Sequence, residues 1–205
     1  MEIERIYSDL PILETERLIL RKVSLEDVED MYLYCSDEDV ARDITWNAHK
    51  TITDTKSFIE SILKQYENKQ VAPWGIEYKE NGRLIGNIDF VWWQPNHQTA
   101  EIAYVLSKEY WGKGLITEAV KEIIRFGFNE MDLVRIQARC FVENIGSYRV
   151  LEKSGMQFEG IIRKGLFVKG EHQDLKVYSI IREDLKKPDS INTKTNTEDK
   201  LRTKE

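Results

Sequence analysis

The feature that most limits the fold is a pair of glycines between a strand-like and a helix-like segment. Gly112 and Gly114 lie in the stretch Tyr-Trp-Gly-Lys-Gly, after apolar alternation at 98–106 and before helical spacing at 114–131. The next apolar alternation covers 134–142. A strand, helix and strand joined in this order are parallel and right-handed in nearly every sheet. The sequence therefore predicts that 98–106 and 134–142 are parallel neighbours.

Antiparallel strands and further helices surround that pair. Alternation and turn signals predict strands over 16–23, 74–78, 83–93, 158–168 and 174–181. Helical spacing predicts helices over 24–35, 37–44, 53–68 and 146–153. Ser24 is the expected N-cap of the first helix, and Gly155 the expected C-cap of the last. The predicted fold class is α+β, or α/β on a looser count, with a mixed, mostly antiparallel sheet flanked by helices.

Composition limits the class of partner. The 205 residues are 41% hydrophobic and 32% charged, and 30 basic against 36 acidic side chains give a net charge of -6. Nucleic acid is excluded as the main partner, because its phosphates require a basic face. An amine-bearing partner suits the acidic balance. With Cys35 and Cys140 as the two cysteines, neither a disulfide framework nor a cysteine zinc site can form.

One domain is expected over 1–187, followed by a flexible polar tail over 188–205. The tail has two aliphatic residues, Ile191 and Leu201, which cannot offset the entropy of ordering it. No apolar run approaches the ~18 residues that span a bilayer. The N-terminal segment is acidic and lacks the pattern of a secretory signal. A cytoplasmic protein without a membrane partner is therefore expected.

The glycine pair also predicts an anion site. Glycines leave main-chain amides uncovered, and the helix that follows adds unpaired N–H groups and a positive dipole end. Lys113 can add a charge and Thr117 a hydroxyl. The P-loop is excluded because Leu115 follows Gly114, and the dinucleotide fingerprint because Thr117 stands at its third glycine. The alternative is a turn in which the glycines serve geometry alone.

A second stretch, Asn-Ile-Gly-Ser-Tyr-Arg-Val-Leu-Glu-Lys-Ser-Gly-Met over 144–156, follows this loop. Together with Trp-Gly-Lys-Gly it resembles the GNAT superfamily of acyl-CoA-dependent N-acyltransferases, and within it the RimJ/RimL-type N-acetyltransferases. The segments Glu-Thr-Glu-Arg-Leu-Ile-Leu-Arg over 14–21 and Ala-Glu-Ile-Ala-Tyr-Val-Leu over 100–106 are similar to that family as well. The resemblance covers 13–185.

The resemblance implies a GNAT fold in which the parallel strands splay apart. It also implies acetyl-CoA as co-substrate, with its pyrophosphate on the loop and its pantetheine arm along the strand edge. The cofactor-binding residues expected on this basis are Tyr104, Val105, Leu106, Gly112, Lys113, Gly114, Leu115, Thr117, Asn144 and Ser147. Trp111 departs from the family, which usually has Gln or Arg there, and Ile116 stands where it has Gly or Ala.

Glu101 and Ser147 are the candidate catalytic residues. Acyl transfer to an amine needs a neutral nitrogen and a protonated leaving thiolate. Glu101 could deprotonate an ammonium through a water, and its alternative role is a surface carboxylate at a strand end. Ser147 could donate to the sulfur or relay a proton, and its alternative role is a bond to local backbone. Leu151 stands where many members of the superfamily have an acidic Tyr.

The histidine, cysteine and tryptophan side chains suggest mainly structural roles. We expect His49, His97 and His172 in loops or turns, and we assign no metal and no covalent nucleophile. Cys140 alternates with apolar residues and is expected in the core. Adjacent Trp92 and Trp93 face opposite sides of a strand, so one can pack in the core and the other can line an acceptor groove. For Trp46, Trp92 and Trp93 alike, the alternative to lining an acceptor groove is packing in the core or at an interface.

The expected function is transfer of the acetyl group of acetyl-CoA to a primary amine. The resemblance favours the α-amino group of a protein. A small-molecule amine, such as a polyamine or antibiotic, is one alternative, and a non-catalytic acyl-CoA-binding module is another. A homodimer is left open.

Overall fold

A mixed sheet forms the centre of residues 3–186, which is the part of the chain that this computed structural model describes. Its strands are β1 (Leu13–Glu14), β2 (Leu18–Arg21), β3 (Trp74–Tyr78), β4 (Arg83–Gln94), β5 (Thr99–Leu106), β6 (Arg135–Phe141), β7 (Gln157–Val168) and β8 (Glu171–Ile181). The spatial order is β1-β2-β3-β4-β5-β6-β8-β7. Within the described residues β5 and β6 are the one parallel pair, which confirms the predicted fold class. The tail predicted over 188–205 lies outside these residues.

Helices cover both faces of the sheet. They are α1 (Ile3–Tyr7), α2 (Val28–Cys35), α3 (Glu38–Arg42), α4 (Ile52–Glu67), α5 (Leu115–Asn129) and α6 (Ile145–Lys153). One buried cluster packs α1, α5 and α6 against one face. A smaller cluster packs α2, α3 and α4 against the other face of β4 and β5, together with Val23 just after β2. No helix within residues 3–186 is both long and apolar enough to span a bilayer.

Local signals explain where the helices begin. Ser24 is an N-cap as predicted, and it forms a reciprocal capping box with Asp27. It caps a 3-10 turn, Leu25–Asp27, that leads into α2. Thr51 and Asp54 form the same box at the start of α4. Each box satisfies amides that the first helical turn leaves without partners.

Four details differ from the sequence prediction. Helix α1 has five residues and too few turns to show periodicity. The first strand is confined to 18–21, with the two-residue β1 before it. The C-cap of α6 is Ser154, and Gly155 follows it with a φ of +88°. His172 lies in β8, where it pairs with Phe167 of β7, and not in a turn.

Strands β5 and β6 diverge halfway along β5. Their pairing runs from Thr99↔Arg135 to Ile102↔Ala138 and then stops. Strand β5 stays paired with β4 as far as Gly86↔Leu106. A Cβ on Gly86 would lie 2.2 Å from the Val105 carbonyl oxygen, so only glycine permits this close strand contact. The edge of β5 that faces β6 is therefore open from 103 to 106.

Candidate active site

The loop before α5 presents a row of free main-chain donors. Gly112 and Gly114 have φ values of +75° and +77°, a region that glycine adopts without steric cost. No hydrogen bond within residues 3–186 engages the amides of 112–117. The 15-residue helix α5 begins at Leu115, so its positive dipole end adds to these donors. The predicted loop residues therefore lie together, and their free amides can bind an anion.

Charged side chains flank this loop. The Lys113 ammonium lies 5.0 Å from the Tyr110 ring centroid. Arg17 donates from Nη1 to the Lys113 carbonyl oxygen at 3.0 Å and pairs with Glu118 of α5 at 2.7 Å. Burial disfavours charge on Glu118, but hydrogen bonds from Thr15 and Arg17 outweigh it and lower the pKa of that carboxyl. Glu118 therefore stays charged and holds the Arg17 guanidinium beside the loop.

Trp111 ties the loop to the end of β5. Its indole Nε1 donates to the Leu106 carbonyl oxygen at 2.8 Å, which gives a structural role to the residue that departs from the family pattern. The Val105 carbonyl oxygen points at β4, beside Gly86. Main-chain groups alternate in direction along a strand. Those of Tyr104 and Leu106 therefore face the open edge, where Trp111 already engages the Leu106 carbonyl oxygen, and those of Val105 do not. Val105 instead packs its side chain into the smaller core cluster.

Ser147 and Tyr104 bridge the gap between the splayed strands. The Asn144 Oδ1 atom accepts from the Ser147 amide at 2.8 Å and so caps α6. The Tyr104 hydroxyl lies 3.0 Å from Ser147 Oγ and 3.1 Å from the Ser147 carbonyl oxygen. Burial raises the pKa of Tyr104 well above its ordinary range. The pair is thus neutral and can donate a hydrogen bond or pass a proton. Leu151 is buried and has no hydroxyl to offer.

Glu101 is a buried carboxylate with a full set of partners, and not a surface group at a strand end. It is 5% exposed. Arg139 reaches its Oε1 atom from Nε at 2.9 Å and from Nη2 at 2.8 Å. Gln137 donates to its Oε2 atom at 2.7 Å. Both oxygens are engaged, so the charge of Glu101 is balanced by neighbours on β6.

An open face lies over β4 and β5 beside Glu101. Trp92 pairs with Glu101 across the two strands, while Trp93 is buried in the core, as the alternation predicted. Ala103 is exposed on this face. It is the first β5 residue beyond the last pair with β6, so the face opens where the strands separate.

An aromatic row lies at the border of the smaller core cluster. The rings of Trp46, His49 and Phe58 form it, with centroids 5.3 and 5.8 Å apart, and Trp46 and Phe58 pack against that cluster. Burial lowers the pKa of His49, so this row carries no charge near neutral pH. On α3, the Ala41 carbonyl oxygen accepts from the Lys169 ammonium, in the turn between β7 and β8.

Sequence reasoning missed two charged residues of the site, Arg17 and Asp89. Asp89 pairs with Ala103 across β4 and β5. Burial raises the pKa of its carboxyl to about 7. Strand alternation could have placed Asp89 on the polar face of β4, although that alone resembles any solvated strand residue. For Arg17 the sequence carried no signal, since its partner Glu118 is 101 residues away.

The splayed pair, the amide-lined loop and the hydroxyl pair together define an acyl-CoA-dependent transferase site. The family model for the acetyltransferase (GNAT) domain matches residues 17–157. The chain therefore belongs to the GNAT acetyltransferases and is an N-acetyltransferase that uses acetyl-CoA.

Relatives and solved structures agree with this assignment. The uncharacterized N-acetyltransferase YoaA of Bacillus subtilis is 36% identical over 84% of this chain and 97% of its own length. The ribosomal-protein-serine acetyltransferase of Escherichia coli is 26% identical over 82% of this chain and 94% of its own.

Two solved structures have the same fold. A GNAT-family acetyltransferase from Bacillus anthracis has a TM-score of 0.75 and 34% identity, covering 84% of this chain and 99% of that one. The microcin C7 self-immunity acetyltransferase MccE, solved with acetyl-CoA and AMP, has a TM-score of 0.74 and 26% identity, covering 82% of this chain and 93% of that one.

Proposed function

We propose that this protein acetylates the α-amino group at the N-terminus of a protein. The observation that carries the proposal is the open face at Ala103, which begins where the strand edge for the acetyl donor begins. An extended chain end can approach the donor from this face. The similarity to the ribosomal-protein-serine acetyltransferase supports the choice of a protein N-terminus.

Each end of the site has its own task in this proposal. The free amides of 112–117 hold the pyrophosphate of acetyl-CoA, and Lys113 and Arg17 add positive charge. The open edge at Tyr104 and Leu106 pairs with the pantetheine arm as an added strand does. Ser147, supported by Tyr104 and Asn144, donates to the sulfur as the thiolate leaves.

The acceptor nitrogen must also lose a proton. The sequence predicts Glu101 as the acceptor of this proton. In the fold, Arg139 and Gln137 already donate hydrogen bonds to its two oxygens.

The similarity to MccE favours a second candidate, a small amine such as an antibiotic. The aromatic row of Trp46, His49 and Phe58 could pack against such a molecule. A polyamine belongs to the same class of acceptor.

Thiol release from acetyl-CoA with a panel of amines tests the proposal. The panel pairs short peptides carrying a free N-terminus with the same peptides blocked at the N-terminus, and adds lysine side chains, polyamines and aminoglycosides. We expect turnover with free N-termini and none with the blocked copies. Turnover confined to the polyamines or aminoglycosides would overturn the proposal and establish the small-amine alternative.

A further inference from the structure

Asp89 is a carboxylate without a partner near the centre of the molecule. Within residues 3–186, no hydrogen bond and no ion pair engages the Asp89 carboxylate. Its side chain is surrounded closely enough for burial to raise its pKa, yet it keeps some solvent access. Neighbouring side chains therefore enclose this carboxylate, and solvent still reaches it.

Asp89 lies on the open face. Asp89 stands directly opposite Ala103, and side chains opposite each other on paired strands are about 5 Å apart at Cβ. Ala103 is exposed and has a methyl group only, so nothing from β5 covers the Asp89 carboxylate. Since the strand edge opens at Ala103, Asp89 lies one strand away from the point where the acetyl donor enters the sheet.

The titratable groups around Asp89 leave its charge uncompensated. Tyr7 of α1 and Tyr66 of α4 interact with it electrostatically, and both have raised pKa values chiefly because they are buried. Tyr34 of α2 donates to Asn87, two residues before Asp89. On β5 and β6 the Glu101 and Arg139 side chains neutralise each other. No cation within the described residues serves Asp89, so a bound ammonium could.

An unpaired carboxylate in such a place lowers the stability of the fold, and residues that do so concentrate at functional sites. We propose that Asp89 binds the ammonium group of the acceptor and accepts its proton, while the Glu101–Arg139 pair positions the neighbouring strands. This inference rests on the proposed function for the choice of acceptor, and it assigns the proton acceptor to a residue on β4.

The step balances as follows. One ammonium proton moves to the Asp89 carboxylate, and the freed lone pair of the nitrogen attacks the thioester carbonyl carbon. The new C–N bond forms and the C–S bond breaks, with its electron pair leaving on the sulfur of coenzyme A. A second proton from the nitrogen ends on that sulfur, through Ser147 where the relay operates. Asp89 then returns its proton to water.

The basicity of Asp89 suits an α-amine. An α-ammonium has a pKa of about 7.7–8.0, against about 10.4 for a lysine ammonium. The Asp89 carboxyl, at about 7, lies near the first value and far from the second. Proton transfer from an N-terminus is therefore nearly balanced, and general bases work best under that condition.

Paired carboxylate-to-amide variants test the assignment. Asp89→Asn and Glu101→Gln each remove one carboxylate and keep its shape. We expect Asp89→Asn to lower kcat/KM on the order of 10²-fold at pH 6.5–7. The rise of kcat/KM near pH 7 should be absent in this variant. Near pH 9, where the amine is neutral by itself, its kcat/KM should approach that of wild type. Glu101→Gln should keep the rise near pH 7.

The opposite pattern, with the rise lost in Glu101→Gln and kept in Asp89→Asn, would assign the proton to Glu101 and overturn the inference. A rise kept in both variants would overturn it too, because solvent would then remove the proton. Stabilisation by acetyl-CoA should be unchanged in Asp89→Asn, which shows that this variant is folded and binds its donor.

The test does not depend on which amine is accepted. If free N-termini are inactive and a small amine is active, the proposed function fails, and the same profiles are measured with that amine. Titration of the carboxyl carbons by NMR, with Asp89→Asn to assign the signal, needs no acceptor. A midpoint near 7 supports the inference, and one near 4 contradicts it.

Discussion

The two ends of this site use different parts of the polypeptide. At the loop of 112–117 the donors are main-chain amides, and the glycine conformations and the start of α5 align them. On the open face over β4 and β5 the chemistry belongs to side chains, with Glu101 fully partnered and Asp89 unpartnered. Backbone geometry therefore defines the proposed cofactor end. The burial and the partners of carboxylate side chains define the proposed acceptor end.

This difference has a consequence for specificity. In the proposed function, main-chain donors bind the pyrophosphate whatever the neighbouring side chains are, so Trp111 and Ile116 can replace the usual residues of the family. A carboxylate on a strand changes its charge and basicity with every neighbour. The acceptor end can therefore vary between relatives that share one cofactor loop.

The largest effect is expected at the loop. Gly114→Asp adds a negative charge beside the proposed pyrophosphate site. An added Cβ lies 3.7 Å from Arg17 Nη2, so the new carboxylate can also pair with that guanidinium and withdraw it from the phosphates. Like charges placed together in an interface cost several kcal/mol, which corresponds to a loss of affinity on the order of 10²-fold. Acetyl-CoA should no longer raise the melting temperature of this variant.

Gly82→Asp is the matched control. Gly82 has a φ of +69° in the turn between β3 and β4, with open space around it. The variant carries the same backbone strain and the same charge away from the loop, and it should retain the acetyl-CoA shift. An undiminished shift in Gly114→Asp would show that the loop does not hold the donor.

A smaller effect, on stability, is expected at Asp89. Its carboxyl has an ordinary pKa of 3.8 and a pKa of about 7 in the fold. Well below pH 3.8 it is neutral in both the folded and unfolded chains, and Asp89→Asn should change little. Between the two pKa values the unfolded chain releases a proton that the folded chain keeps, so wild-type stability falls as the pH rises. Above pH 7 the variant should be more stable by about 4 kcal/mol.

Urea unfolding at pH 4.5 and pH 8 measures this gain. Asp9→Asn is the control, because the Asp9 side chain is 97% exposed and its substitution should leave both values nearly unchanged. Equal stability of wild type and Asp89→Asn at pH 8 would mean that the Asp89 carboxylate finds a partner in solution.

The smallest effect is expected between the two ends, at Ser147. Ser147→Ala removes a donor to the leaving sulfur and should lower kcat about 10-fold, with little change in the shape of the pH profile. Ser154→Ala on the same helix is the control, since its hydroxyl bonds only the Val150 carbonyl oxygen. Steady-state kinetics with one amine compare the two. An unchanged kcat in Ser147→Ala would show that the Ser147 hydroxyl serves only its contact with Tyr104.

The sequence predicted the strands and the longer helices to within a few residues, because periodicity and capping are local. Ser24 and the turn at Asn81-Gly82 were recognisable by composition alone. Helix α1 was missed because five residues do not complete two turns. The position of His172 was missed because β8 starts directly after its turn at Gly170 and leaves no loop.

The site was likewise predictable where it depends on local motifs and unpredictable where it depends on strand pairing. Gly112, Gly114, Asn144 and Ser147 follow from local motifs, and the structure brings them to the splayed strands. The partners of Glu101 were not predictable, since Gln137 and Arg139 meet it only through the register of the parallel pair. The Val105 carbonyl direction likewise depends on the pairing of β5 with β4.

By itself, then, the sequence determined the amide-lined loop and the helix behind it. Their conformation depends on residues next to one another in the chain, and left-handed glycines and helix ends need no distant partner. Tertiary structure alone decided that the charge of Glu101 is paired and that the Asp89 carboxylate has no ion-pair partner. Desolvation and pairing depend on groups that distant segments bring together, as Arg139 is brought to Glu101 and bare Ala103 to Asp89.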